Sequence, residues 1–168
     1  MPDICCFDTD VVSCYLVQKP GDTHWVEQNR RAKSLFDLLK KEKTDFYIPS
    51  IVLMEVLLAF PEPDRRYDIH KKLLEIFKIA NFTPHCAEVV PELLFNNGFK
   101  ELSTTLPRKE RECIKEDNKI LATALCLGAK TLYTNNKKDY QKWADGRISL
   151  VSLDEIPIQE SLFNEKGE

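Results

Sequence analysis

Two rhythms of apolar residues run along the chain. Short apolar runs at 4–7, 46–48, 131–134 and 148–152 read as strands buried on both faces. Between them, apolar residues recur every three or four positions, as amphipathic helices require. The spacing predicts helices at 10–17, ended by Lys19-Pro20-Gly21, and at 26–43, with Ala32, Leu35, Phe36, Leu38 and Leu39 on one face. Pro49-Ser50 introduces a helix over 51–60 that Pro61-Glu62-Pro63 stops. Asp64 can cap the next, through 77, turning Tyr67, Leu73, Leu74 and Phe77 to the core. Residues 82–99 are helical in pattern but contain Pro91, so they form two pieces or one kinked piece, with Gly98 suited to the end. After Leu106-Pro107, a helix over 108–127 stops at Gly128, and a short one follows at 138–144.

Short strands alternating with helices of ten or more residues predict an α/β fold. The expected architecture is a mainly parallel central sheet of four to five strands, flanked by helices in three layers. The 168 residues are enough for one core, so we expect one domain over 1–155 and a loose tail over 156–168. Ligands of such sheets bind at the carboxyl ends of the strands, where Asp8 and Thr134 fall.

No apolar run approaches the ~18 residues of a membrane span. The opening Met-Pro-Asp lacks a signal peptide's basic start, so the expected location is cytoplasmic. The six cysteines show no CxxC spacing and read as reduced, small core residues; the three histidines suggest no zinc site. A net charge of −3 gives no global attraction to nucleic acid. Basic residues nevertheless cluster locally, as at Arg108, Lys109 and Arg111 and at Lys137 and Lys138.

Three acids stand in apolar surroundings. Glu55 is the one polar side chain in Ile51-Val-Leu-Met-Glu-Val-Leu-Leu-Ala-Phe60, a helix apolar nearly all round and therefore expected to be buried on most sides. An ionised carboxylate there costs several kcal/mol unless paired, hydrogen-bonded or bound to metal. Asp117 interrupts the stripe Ile114, Leu121, Ala124, Leu125, though a helix-start aspartate is the competing explanation. Asp8 ends the first strand, where an ordinary turn residue explains it equally well. Should the three converge, their repulsion calls for a cation, and oxygen-only ligands select Mg²⁺ or Mn²⁺ over zinc.

The stretches FDTDVV, IPSIVLMEVLLAF and DNKILATALCLGAKTLYTNNKKDY, in this order, resemble the PIN-domain ribonucleases, especially the VapC-type toxins of toxin-antitoxin pairs. The resemblance implies that Asp8, Glu55 and Asp117 bind the metal, with the fourth position within 134–139. Many relatives carry aspartate where Asn136 stands, so Asp139 is the expected fourth acid. Thr9, Asp10, Thr134 and Asn136 would support the site, and Lys137 and Lys138 are candidate contacts to substrate phosphates. It also implies an RNA substrate cut to a 5′-phosphate and a 3′-hydroxyl, a small antitoxin partner and a homodimer.

Two other readings compete. Asp-x-Asp-x-Val after a strand also resembles the first motif of haloacid-dehalogenase-type phosphatases, with Asp8 as nucleophile and Asp10 as acid/base. That reading leaves Glu55 unexplained and lacks a later Gly-Asp motif. The other is a non-catalytic PIN-like module that binds RNA or protein, which Asn136 in place of an acid favours and Glu55 opposes.

Overall fold

The computed structural model describes residues 2–158. Five strands, β1 (Ile4–Phe7), β2 (Asp45–Pro49), β3 (Lys78–Ala80), β4 (Thr131–Tyr133) and β5 (Ser149–Val151), form one sheet in the order β3-β2-β1-β4-β5. Every neighbouring pair is parallel. Parallel neighbours need crossovers, and helices supply them. The helices α1 (Thr9–Leu16) and α2 (Thr23–Lys41) lead from β1 to β2, and α3 (Ser50–Leu58) and α4 (Pro63–Ile76) lead on to β3. Then α5 (Pro84–Asn96), α6 (Phe99–Thr105) and α7 (Arg108–Cys126) return the chain to β4, and α8 (Lys137–Ala144) joins β4 to β5. The α/β class and parallel sheet expected from the sequence are those that form.

Phe7 anchors the core. Its ring stacks on Phe36 of α2 and Tyr133 of β4, with centroids 4.8 and 5.2 Å away, and meets Phe46 and Phe77 edge-on, each at 5.6 Å. One side chain on the central strand thus ties together α2, β2, β4 and the end of α4, in geometries that suit the ring quadrupole.

Several expectations are corrected. Lys78-Ile79-Ala80 forms the edge strand β3, too short to show a period. The pattern over 82–99 forms one helix, α5, with Gly98 at a left-handed φ of 77° just past its end as expected, and the unexpected element is α6 beyond it. Pro91 stays inside α5 on its exposed side, where water can take the freed carbonyl. Tyr67 and Leu74 do not reach the core and stay 69% and 51% exposed, because α4 packs on α3 and closes only a narrow stripe around Leu73. Helix α3 is also less enclosed than its composition suggests. Val52 and Val56 are buried, but Met54 and Leu58 are 51% and 72% exposed, since no described element covers that side.

Cys5, Cys6, Cys14 and Cys86 are free and buried, as core residues should be, while Cys113 is exposed. The expected tail begins by docking: Ile156 is buried and its carbonyl accepts from Arg31 Nη1 at 2.6 Å. The rest of it, 159–168, lies outside the described residues. Among the described residues no helix is long and apolar enough to cross a membrane.

Phe36→Ala should destabilise the protein by about 3–5 kcal/mol in urea unfolding, through lost burial and the cavity left beside Phe7. Tyr67→Ala should stay within about 0.5 kcal/mol.

Candidate active site

The chain builds β1, β2 and β3 outward in one direction, then crosses back to lay β4 on the other flank of β1. The loops leaving β1 and β4 therefore diverge, and a crevice opens at the carboxyl ends of these two strands. Asp8 and Thr134, the first residues beyond them, line it. The Asp8 N–H donates to the Tyr133 carbonyl at 2.9 Å, and Thr134 Oγ1 donates to Asp8 Oδ2 at 2.8 Å. Asp8 also caps α1, its Oδ1 accepting from the Thr9 N–H at 2.7 Å. The turn explanation for Asp8 is thus correct and incomplete, since the carboxylate is only 7% exposed and faces the crevice acids.

Helix α1 next brings in Glu55. Thr9 Oγ1 donates a short hydrogen bond to Glu55 Oε2, in the second turn of α3. Glu55 has no basic partner among the described ion pairs, and neither do Asp8 and Asp117. Asp117 lies in the third turn of α7, whose N-cap is Pro107, so it is no helix-start residue. Asn136 Nδ2 approaches Asp117 Oδ2 at 3.5 Å, and the Asn136 N–H donates to Thr134 Oγ1 at 3.0 Å. Asp139 sits exposed in the first turn of α8.

Asp10 is held as a brace. Its two oxygens accept from the N–H groups of Val11 at 2.6 Å and Asn135 at 2.9 Å, fixing the loop after β4 to α1. The Asn135 side chain carries the brace onward, accepting from the Leu153 N–H at 3.0 Å.

These groups share one electrostatic field. Burial pushes the Asp117 carboxyl up to about 7, and the charges of Asp8, Asp139, Glu55 and Asp10 add to the rise. Burial and then the charge of Asp8 bring Asp10 to about 7 as well. Asp8 is raised by burial despite hydrogen bonding from Thr134 and Thr9. Glu55 is raised by burial, opposed by Thr9 and reinforced by Asp8 and Glu116. Acids far apart in sequence therefore lie in mutual repulsion at one sheet edge.

Among the described residues, no group of three or more His, Cys, Asp or Glu side chains stands where it could hold a metal ion. The donor chemistry is nevertheless that of a hard cation: carboxylates, hydroxyls and an amide, with no thiolate or imidazole among them.

Two parts of the crevice escaped sequence reasoning. Tyr140, on the first turns of α8, is wholly buried, and its hydroxyl has no hydrogen bond of full geometry. Burial and the charges of Asp8 and Asp117 keep the phenol protonated, so it offers Asp8 a proton donor. An aromatic in that place gives no sign in sequence of where its hydroxyl points. The second is an open groove of about 650 Å³, walled by Glu55 of α3 and by Arg108, Lys109, Glu112, Cys113, Glu116 and Asp117 of α7. Of the two expected phosphate contacts, Lys137 is engaged by both Glu155 oxygens at 2.9 Å, and Lys138 is exposed.

Solved structures share this architecture. The chain superposes with a TM-score of 0.62 and 22% identity on VapBC2 from Rickettsia felis, solved with a DNA fragment from their promoter, covering 89% of this chain and 98% of that one. DNA-bound VapBC from Salmonella typhimurium gives 0.60 and 16%, covering 91% and 99%. VapBC-1 from nontypeable Haemophilus influenzae gives 0.62 and 16%, covering 90% and 98%. The fold is thus the PIN-like fold that the motifs led us to expect. No protein-family profile and no curated protein matches the chain.

The raised carboxyls fix the sign of a pH effect. Asp10 and Asp117 protonate near 7 when folded but near 4 when unfolded, so between those values the native state binds more protons and gains stability as pH falls. With chelator present, the melting temperature should rise by more than about 2 °C between about pH 8 and about pH 5, and Asp117→Asn should flatten that rise. A flat wild-type profile would show that these carboxyls are not raised.

Proposed function

We propose that this protein is a divalent-metal-dependent endoribonuclease, the toxin member of a toxin-antitoxin pair, acting in the cytoplasm. The observation that carries the reading is the convergence of Asp8, Glu55 and Asp117, without basic partners, in the crevice where parallel sheets bind ligands. The PIN-like fold shared with VapBC chains supports it.

Asp8, Glu55 and Asp117 would hold Mg²⁺ or Mn²⁺, with Asp139 at the fourth position. Bound there, the metal supplies an activated water and relief of charge on the scissile phosphate. The protein's own groups set up that chemistry. Thr134 and the Thr9 N–H fix Asp8, and the Thr9 hydroxyl fixes Glu55, so neither carboxylate must be ordered at the moment of reaction. Asn136 gives Asp117 a weak amide donor, and Asp10 keeps the loop carrying Thr134 and Asn136 in place. Lys137, once released by Glu155, and Lys138 are the phosphate contacts on this side of the crevice. Hydrolysis to a 5′-phosphate and a 3′-hydroxyl follows from the resemblance.

The partner is a small antitoxin, as in the VapBC complexes, and the open Met54 and Leu58 side of α3 offers it apolar surface. A homodimer belongs to the same reading. The phosphatase reading is disfavoured by Asp10, both of whose oxygens are taken by backbone N–H groups, which suits a brace better than a proton shuttle.

Purified protein should cut RNA with Mg²⁺ or Mn²⁺ and stop when a chelator is added. Glu55→Gln should lower the rate at least about 100-fold, the scale on which lost transition-state electrostatics act. A non-catalytic module would instead show no cleavage to lose and would gain stability as an unpaired charge disappears. Asn136→Asp restores the acid of many relatives; it should lower the melting temperature in chelator and tighten Mn²⁺ binding, followed by electron paramagnetic resonance.

A further inference from the structure

We infer that the groove between α3 and α7 seats the RNA strand beside the scissile phosphate, with Arg108 and Lys109 as its phosphate contacts; this rests on the ribonuclease reading. The groove, about 650 Å³, includes Glu55 and Asp117 in its wall and runs toward the first turn of α7, so the candidate active site and these two cations share one surface. Its volume lies in the range of small-ligand sites.

The charge balance selects those residues. Of the other acids in the wall, Glu112 is paired with Lys115 at 3.0 Å and Glu116 with Lys119 at 2.6 Å. Arg111 is tied to the Ser103 carbonyl at 3.0 Å. Arg108 and Lys109 are exposed and make no ion pair or hydrogen bond among the described residues, though the Arg108 charge reaches Glu112. Pro107 gives the 19-residue α7 no side-chain cap, so its first N–H groups and the positive end of its dipole face the same place. Arg108 stands roughly 14 Å along the axis from Asp117, at about 1.5 Å per residue. These contacts therefore hold phosphates neighbouring the reacting one and set affinity.

Cys113 supplies the probe, being an exposed thiol in the groove wall. In wild-type protein and in Glu55→Gln, a mixed-sequence single-stranded RNA should slow alkylation of Cys113 by iodoacetamide at least about tenfold at saturation. Arg108→Ala with Lys109→Ala should raise Kd and KM about tenfold or more and spare kcat, with the salt dependence of log Kd falling by about 0.7 per lost contact. Lys40→Ala with Lys41→Ala, in the last turn of α2, should change neither.

Bound RNA that leaves Cys113 unprotected, or a double variant of unchanged Kd and salt slope, overturns the inference and gives the groove to another occupant such as a protein segment. Cleavage without protection overturns the groove alone. Protection without cleavage upholds the groove and overturns the catalytic reading. Absence of RNA binding overturns both.

Discussion

Asp8 ends the central strand of the sheet with almost no access to water, and the carboxyl edge is organised around the cost of that charge. Burial raises its pKa, and hydrogen bonds from Thr134 and the Thr9 N–H answer only part of the penalty. Burying one unpaired carboxylate is already unfavourable, and three more acids in its field add to the cost. A protein selected only for stability would fill such a place with apolar side chains. The proposed divalent cation would answer that charge.

The strain is held in place by a framework that does not yield to it. Phe7 directly precedes Asp8 and is locked in the aromatic core, so β1 cannot shift to relieve the carboxylate. Thr9 joins the start of α1 to α3 through Glu55, and Asp10 joins α1 to the loop after β4. Asp8, Thr9 and Asp10 thus make three different long-range attachments from one short turn. This is how a site becomes preorganised: the entropy of bringing distant groups together is met by folding, and the repulsion left over is available to favour a cation.

The architecture was readable because buried parallel strands and amphipathic helices leave periods that survive in sequence, and the acids were readable because each broke such a period. Glu55 in an apolar helix is the plainest example. What escaped had no period to break. The edge strand Lys78–Ala80 is too short to show one. The exposure of Met54 and Leu58 depends on which neighbour α3 lacks, a fact of tertiary arrangement that composition does not carry. Tyr140 reads as an ordinary core aromatic, and only the placement of α8 against Asp8 gives its hydroxyl a role. Lys137 looked available to substrate because its partner Glu155 comes from beyond the last strand.

A chain of net charge −3 with acids concentrated at its crevice should repel RNA, so the ribonuclease reading must explain attraction as well as chemistry. Acids at this edge differ in whether a base answers them. Asp8, Glu55 and Asp117 have no basic partner among the described residues, whereas Glu112 and Glu116 of α7 are already answered by lysines one turn on. Screening weakens an exposed pair but hardly touches a buried one, so the repulsion that counts is the deep one. Were a divalent cation to neutralise the buried acids, as proposed, the cations without partners at the first turn of α7 would set the sign of the field at the entrance. Net charge is then a poor guide to the polyanion this surface can hold, because the excess negative charge lies where a metal, rather than the nucleic acid, would meet it.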